Sequence, residues 1–379
     1  MMPGIAKRSI PRAPLTMDDL AQSLGLHPST VSRALDPTRS HLVAAATRAK
    51  VVQAAADAGY RPNPTAAGLR RGRTMTIGVL TPDLGNGTII EAIRALSDVL
   101  DRQDLTPLIA ESMDDPGRSR HLIERFRARS VDAIVTLAAT EDDRDVLLKT
   151  AESIPVVLAV RFLADSGLPT VRCDDYLGAS LAAGHLADLG HVRVGQIQGP
   201  QRSRLFADRA RGFAETAASR GLKRQRSRYI AEHATAAEGR RLATAMLAAG
   251  RDRLPTAIFA HNDSLAIGVH SALQSHGLRC PQDVSIVGFN AASPPSDLAI
   301  ALTSVSYPSR DIGSRAGEMV LDLVSGRQPS TDTEVYAPRL VVRASTGAPP
   351  GLTDRHRRHH SSSASDRGER ADLGGEPVG

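Results

Sequence analysis

Residues 15–36 read LTMDDLAQSLGLHPSTVSRALD, and their spacing describes two short helices joined by a tight turn. Thr16 suits the cap of a first helix, and Asp18 and Asp19 fall in its first turn, where the helix dipole favours acids. Leu20 and Leu24 share one face. Ala21 is small enough to let a second helix cross closely, and Gly25 permits a sharp turn. His27 precedes Pro28, a residue suited to the first position of a new helix. Val31 and Leu35, four apart, turn back onto the first helix. That leaves Pro28, Ser29, Ser32 and Arg33 facing outward, with Thr30 beside them. The arrangement is that of a helix-turn-helix, whose second helix enters the major groove of double-stranded DNA by its N-terminal end. Short hydroxyl side chains let a backbone approach DNA, and Arg33 carries the fork that matches guanine O6 and N7, so Thr16, His27, Pro28, Ser29, Thr30, Ser32 and Arg33 are the expected DNA-binding residues of the head.

Charge supports this reading. Residues 1–73 hold eleven Lys and Arg against four acids, a net of +7, although the whole 379-residue chain carries only +6. A basic head on a near-neutral body is the pattern of a nucleic-acid-binding protein. The two cysteines, Cys173 and Cys280, lie far apart and form no CxxC pair, so they read as structural thiols of a reducing compartment. The N-terminus shows no apolar leader and no run reaches 18 apolar residues, which predicts a cytoplasmic protein that does not span a membrane.

After RRGRT (70–74) the rhythm changes. The runs MTIGVL (75–80), TPLIAES (106–112), VDAIVTL (131–137), IPVVLAV (154–160), VRVGQIQG (192–199), TAIFAHND (256–263) and VSIVGFN (284–290) alternate with amphipathic stretches. Strands alternating with helices predict parallel sheets, and so many strands predict two α/β lobes. Residues 1–14 read as a flexible arm, and the Ser-, Gly- and charge-rich end as a disordered tail. His356, His359 and His360 in that tail lack a second ligand group, so no metal is expected. Phosphate-loop, GxSxG and HExxH motifs are absent, so no cofactor and no enzyme are expected. A small-molecule carrier or an α/β enzyme without a DNA role are the competing readings.

The head resembles the lactose-repressor (LacI/GalR) family of bacterial transcription factors. The resemblance continues through VAAATRAKVVQAAADAGYRPN (43–63), IGVLTPDLGN (77–86), DDYLGASLAAGHLADLGHVRVGQIQGP (174–200), DRARGF (208–213), PTAIFAHNDSLAIG (255–268), PQDVSIVGFN (281–290) and LTSVSYP (302–308). It implies an all-α N-terminal head at 15–62, a hinge helix and linker at 63–74, and a core at 75–346. The core would be two periplasmic-binding-protein-like lobes with parallel sheets: lobe 1 at about 75–172 and 303–328, lobe 2 at about 173–302 and 329–346, with the tail at 347–379. It also implies a homodimer on a pseudo-palindromic operator, and a repressor governed by a small-molecule effector bound between the lobes.

By the same resemblance, Asn63 caps the hinge helix, Pro64 begins it and Leu69 wedges into the minor groove, kinking the duplex. The implied effector residues are Asp83, Asn86, Arg161, Arg209, Asn262 and Asn290, with Asp263 supporting the turn beside Asn262. Two departures from the family matter here. Asn290 stands where an Asp is usual, which removes an anion from the cleft, leaves Arg161 and Arg209 less compensated, and predicts a polar effector, an anionic metabolite rather than a plain neutral sugar. NGTI (86–89) replaces an aromatic-rich stretch, which predicts a reduced aromatic wall.

The hinge departs as well: Ala66-Ala67 replaces Ala-Arg, and Gly68 follows. A helical glycine costs about 1 kcal/mol relative to alanine. Arg70, Arg71 and Arg73 are left to supply phosphate contacts. The hinge should therefore be weakly helical without DNA. Circular dichroism of the free N-terminal segment is expected to show no hinge helix, with helical signal gained only on adding duplex.

Overall fold

The computed structural model describes residues 15–36, 39–60, 73–225, 228–248, 250, 254–291 and 300–350. The chain divides into two compact units, up to Thr74 and from Met75 onward. The expected arm, the hinge residues Asn63, Ala66, Leu69 and Arg70, and the chain beyond residue 350 lie outside the described residues.

The head contains α1 (Met17–Leu24), α2 (Pro28–Leu35), a 3-10 turn (Ser40–Leu42) and α3 (Ala45–Asp57). Thr16 and Asp19 cap α1 reciprocally: the Thr16 hydroxyl accepts from the Asp19 N–H at 3.2 Å, and the Asp19 carboxylate accepts from the Thr16 N–H at 2.9 Å. Gly25 ends α1 at φ 63°, the left-handed region glycine enters most easily. Leu20, Ala21, Val31, Ala34, Val51 and Ala55 form the buried centre. The expected inward pair on α2 is thus a trio. Val31 is buried, Leu35 packs at the edge, and Ala34 is buried between them because 31, 34 and 35 share one face of a 3.6-residue helix.

In the second unit, lobe 1 is a six-stranded sheet. It comprises β1 (Thr76–Thr81), β2 (Thr106–Glu111), β3 (Ala133–Thr136), β4 (Val156–Ala159), β5 (Thr170–Cys173) and β12 (Thr333–Tyr336) in the order β12-β5-β4-β3-β1-β2, all parallel. Its helices are α4 (Gly87–Asp101), α5 (Pro116–Ala128), α6 (Arg144–Ala151) and α11 (Ser309–Val324). Lobe 2 comprises β6 (Arg193–Gln198), β7 (Lys223–Arg224), β8 (Tyr229–Ile230), β9 (Ala257–Ala260), β10 (Ser285–Asn290), β11 (Thr303–Ser306) and β13 (Arg339–Val341). The order is β13-β11-β10-β9-β6-β7, with β8 also on β6, and only β13 runs antiparallel. Its helices are α7 (Asp175–Asp188), α8 (Arg204–Ser219), α9 (Ala236–Leu247) and α10 (Asp263–Ser275). Helices cover both faces of each sheet, so the central strands β3, β4 and β9 are continuous buried apolar runs, while the outer strands β2, β7 and β12 stay partly exposed.

Among the described residues the chain crosses between lobes three times: after β5, after β11, and between β12 and β13. This corrects the expected lobe boundaries. Residues 303–306 belong to lobe 2, where Thr303, Ser304 and Val305 are buried beside β10. Residues 333–336 belong to lobe 1, paired with β5. Such short strands carry too little pattern to declare their sheet, and pairing decides it.

Paired helices approach through glycine. A Cβ on Gly313 of α11 would run into the Ala92 carbonyl of α4, and one on Gly268 of α10 into the Ala236 carbonyl of α9. Backbone cannot yield as a side-chain tip can, so the helices must separate. Gly313→Ala and Gly268→Ala should each destabilise the core by about 1–3 kcal/mol, read as an earlier urea midpoint with the sheet content of the fold retained.

Candidate nucleic-acid interface and effector cavity

On the head, His27 caps α2 with its ring. Nδ1 accepts from the Ser29 N–H at 3.2 Å and lies 2.8 Å from the Ser29 hydroxyl. Pro28 is the first residue of the helix. His27, Ser29 and Arg33 are exposed, and Pro28, Thr30 and Ser32 half-buried. The outward face expected from the sequence is present, held by the buried Val31 and Ala34. Thr16 is also exposed, its hydroxyl engaged in the α1 cap.

In the core, a cavity of about 370 Å³ opens between the lobes at the carboxyl ends of the strands. This is where open α/β sheets place ligands. Lobe 1 contributes Pro82, Asp83, Asn86, Ile89, Glu111, Met113, Asp114 and Arg161. Lobe 2 contributes Phe206, His233, Ala234, Thr235 and Asn262. Asp83 accepts from the Gly85 N–H at 2.6 Å, and Glu111 from the Leu84 N–H at 2.7 Å, which shapes the loop after β1. Asn86 caps α4, accepting from the Thr88 N–H at 3.1 Å. Asn262 caps α10 through the Leu265 N–H at 2.8 Å and donates to the Ala234 carbonyl at 3.0 Å. Asp263 accepts from the Ser304 hydroxyl at 2.6 Å, tying α10 to β11 in addition to opening the helix.

Four of the six expected effector residues therefore line one cavity. The other two do not. Arg209 is buried behind Phe206. Its Nε and Nη2 reach the Asp175 carboxylate at 2.8 and 2.7 Å, another N–H donates to the His261 carbonyl, and the guanidinium lies 3.6 Å from the Phe289 ring centre. Asn290 lines a second hollow of about 660 Å³ with Thr88, Tyr307 and Arg310. The first turn of α4 borders both: Asn86 and Ile89 look one way, Gly87 and Ile90 the other.

The expected shortage of counter-charge is also overturned. Arg161 meets both oxygens of Asp114, at 2.5 and 3.1 Å, and Arg209 meets Asp175. Neither acid was singled out from the sequence, because partners 47 and 34 residues away leave no local signal. An aromatic at the cavity was missed too: Phe206 enters from α8, not from the loop after β1.

A family described as "Bacterial regulatory proteins, lacI family" matches residues 16–63, and one described as "Periplasmic binding protein-like domain" matches residues 183–346. The transcriptional regulator MalR of Streptomyces coelicolor is 31% identical over 343 residues, covering 88% of this chain and 97% of MalR. The chain belongs to the lacI family of bacterial regulatory proteins. This lacI-family protein is a DNA-binding regulator of transcription with an effector-binding core. The transcriptional repressor CytR of Escherichia coli K12 is 29% identical over 336 residues, covering 88% of this chain and 97% of CytR. A crystal structure of the lac repressor dimer bound to operator and the anti-inducer ONPF aligns with a TM-score of 0.77 at 23% identity, over 89% of this chain and all of that one, a likeness of fold.

Within this lacI-family core, burial pushes the Asp175 carboxyl up to about 6, against the pull of Arg209, and its second oxygen has no partner among the described residues. Burial likewise keeps the His261 imidazole far below its usual range. The unfolded Asp175 takes its proton near 3.8 and the folded one near 6. Between those values the native state holds more protons, so this group's contribution to stability falls as pH rises from about 4 to 6. Asp175→Asn should remove that slope in urea titrations at pH 4 to 7. Asp175→Leu, which strands a buried guanidinium, should cost about 3–5 kcal/mol.

Proposed function

We propose that the protein is a repressor that reads a pseudo-palindromic operator as a homodimer and is controlled by a polar effector in the cavity between its lobes. The observation that carries the DNA half is the exposed face of α2, with Ser29 and Arg33 one turn apart, pinned by Val31 and Ala34 in the part of the chain that holds all the excess positive charge. In this reading Arg33 reads a base pair, with Pro28, Ser29, Thr30 and Ser32 at the groove. Thr16, at the start of α1, approaches the phosphates. Asn63, Ala66 and Leu69 supply the hinge, and Arg70 a phosphate contact.

For the effector, Asp83, Asn86, Arg161 and Asn262 are the contact residues, and Arg209 with Asp175 is the buried support beneath them. The lining holds three carboxylates, Asp83, Glu111 and Asp114, against one guanidinium, Arg161. That balance favours a neutral or amine-bearing polar ligand over an anionic one. Catalysis has no part in this reading. The carbonyl groups of Asn86 and Asn262 are engaged in helix caps, and no group of His, Cys, Asp and Glu able to hold a metal occurs among the described residues. None of the described helices is long and apolar enough to cross a membrane, and a cytoplasmic location belongs to the proposal.

Duplexes selected from a random pool test the DNA half. Arg33→Ala should cost about 1–3 kcal/mol and relax preference at one symmetric pair of positions. Arg70→Ala should weaken all duplexes about equally and lower the salt slope by about one. Thermal shifts with glucose, glucosamine and glucose 6-phosphate test the effector half. The largest shift with the phosphate would overturn the charge argument.

A further inference from the structure

At the very tip of α2, two residues offer little to a base edge. Pro28 offers only ring carbons there, and the Ser29 hydroxyl is engaged 2.8 Å from His27. Besides the half-buried Thr30 hydroxyl, the imidazole of His27 stands exposed at this end. A backbone N–H can only donate, so the Nδ1 that faces the Ser29 N–H must accept. A neutral imidazole that accepts at Nδ1 carries its proton on Nε2. That nitrogen has no partner among the described residues, and the side chain is exposed. A hydroxyl or carboxamide cap, the usual solution at this position, ends close to the helix. An imidazole caps with one nitrogen and presents the other beyond it, with the ring held by two bonds to Ser29.

We propose that His27 is a base-reading residue, its Nε2–H donating to an acceptor on the major-groove edge of the operator, such as guanine O6 or N7. The assignment rests on the DNA-binding reading above. It adds the cap residue to the groove-facing residues of α2. Because Nε2 is donor-only in the capping tautomer, the contact discriminates against a base edge that presents an amino group there, such as cytosine N4. Arg33, on the following turn, would then read a neighbouring position and not the same one.

The experiment is selection from randomised duplexes with the full-length protein and its His27→Ser form. Serine retains a capping oxygen but offers no second nitrogen. The expected result is that His27→Ser loses preference at one symmetric pair of positions and keeps it at the others. Its affinity for the wild-type consensus should drop about fivefold, the worth of one hydrogen bond. If His27→Ser lowers the melting temperature of the head, His27→Asp, also a good cap and an acceptor only, replaces it, with the same loss expected.

An unchanged consensus in the His27 variants overturns the assignment. So does an equal weakening of all duplexes with a salt slope lower by about one, which marks a phosphate contact. A wild-type protein that selects no sequence overturns the DNA-binding reading itself. That result is distinct from one in which selection survives but is indifferent to His27.

Discussion

Arg209 and Asp175 form a buried ion pair at the place where the two lobes are joined. Asp175 is the first residue of α7, entered directly from β5 of lobe 1, and Arg209 lies on α8. Around them stand the His261 carbonyl after β9, Phe289 on β10 and Tyr307 beyond β11, whose hydroxyl reaches the Val160 carbonyl in lobe 1 at 3.4 Å. Two buried charges are tolerated only when each meets the other with good geometry. The pair therefore constrains five elements at once, two of them beside interlobe crossings. It also withdraws Arg209 from the cavity and leaves Phe206 as the surface that a ligand meets.

The cavity is a product of capping. Asn86 and Asn262 hold the starts of α4 and α10, and Thr235 that of α9, accepting from the Glu238 N–H. Helix N-termini expose backbone donors and a favourable dipole, so three of them around one hollow make a polar, preorganised wall. The same side chains that stabilise the fold thus line the ligand space. A shift of one lobe against the other would change this lining, which is the physical basis for coupling a ligand to the rest of the chain.

In the head the division of labour is sharper. Val31 and Ala34 hold α2 against α1, and the remaining face is left to solvent. That outward face is held by supports that are apolar and buried. His27 adds a cap that is also a chemical group at the tip.

Local chemistry made much of this legible in the sequence. The Thr16 cap, the Gly25 turn, the Pro28 start, the Val31 anchor and the seven apolar runs of the core are all governed by neighbours a few residues away, and all stand where the spacing puts them. The helix-turn-helix and the α/β class follow from such short-range rules. Tertiary structure alone decided which sheet takes the four-residue strands at 303–306 and 333–336, since their pattern suits either. It also decided that Asp114 neutralises Arg161, that Asp175 neutralises Arg209, and that Asn290 faces a different hollow from Asn262. Periodicity records which face of an element is buried. It does not record which distant charge will be buried opposite it, because that depends on how the chain crosses between lobes.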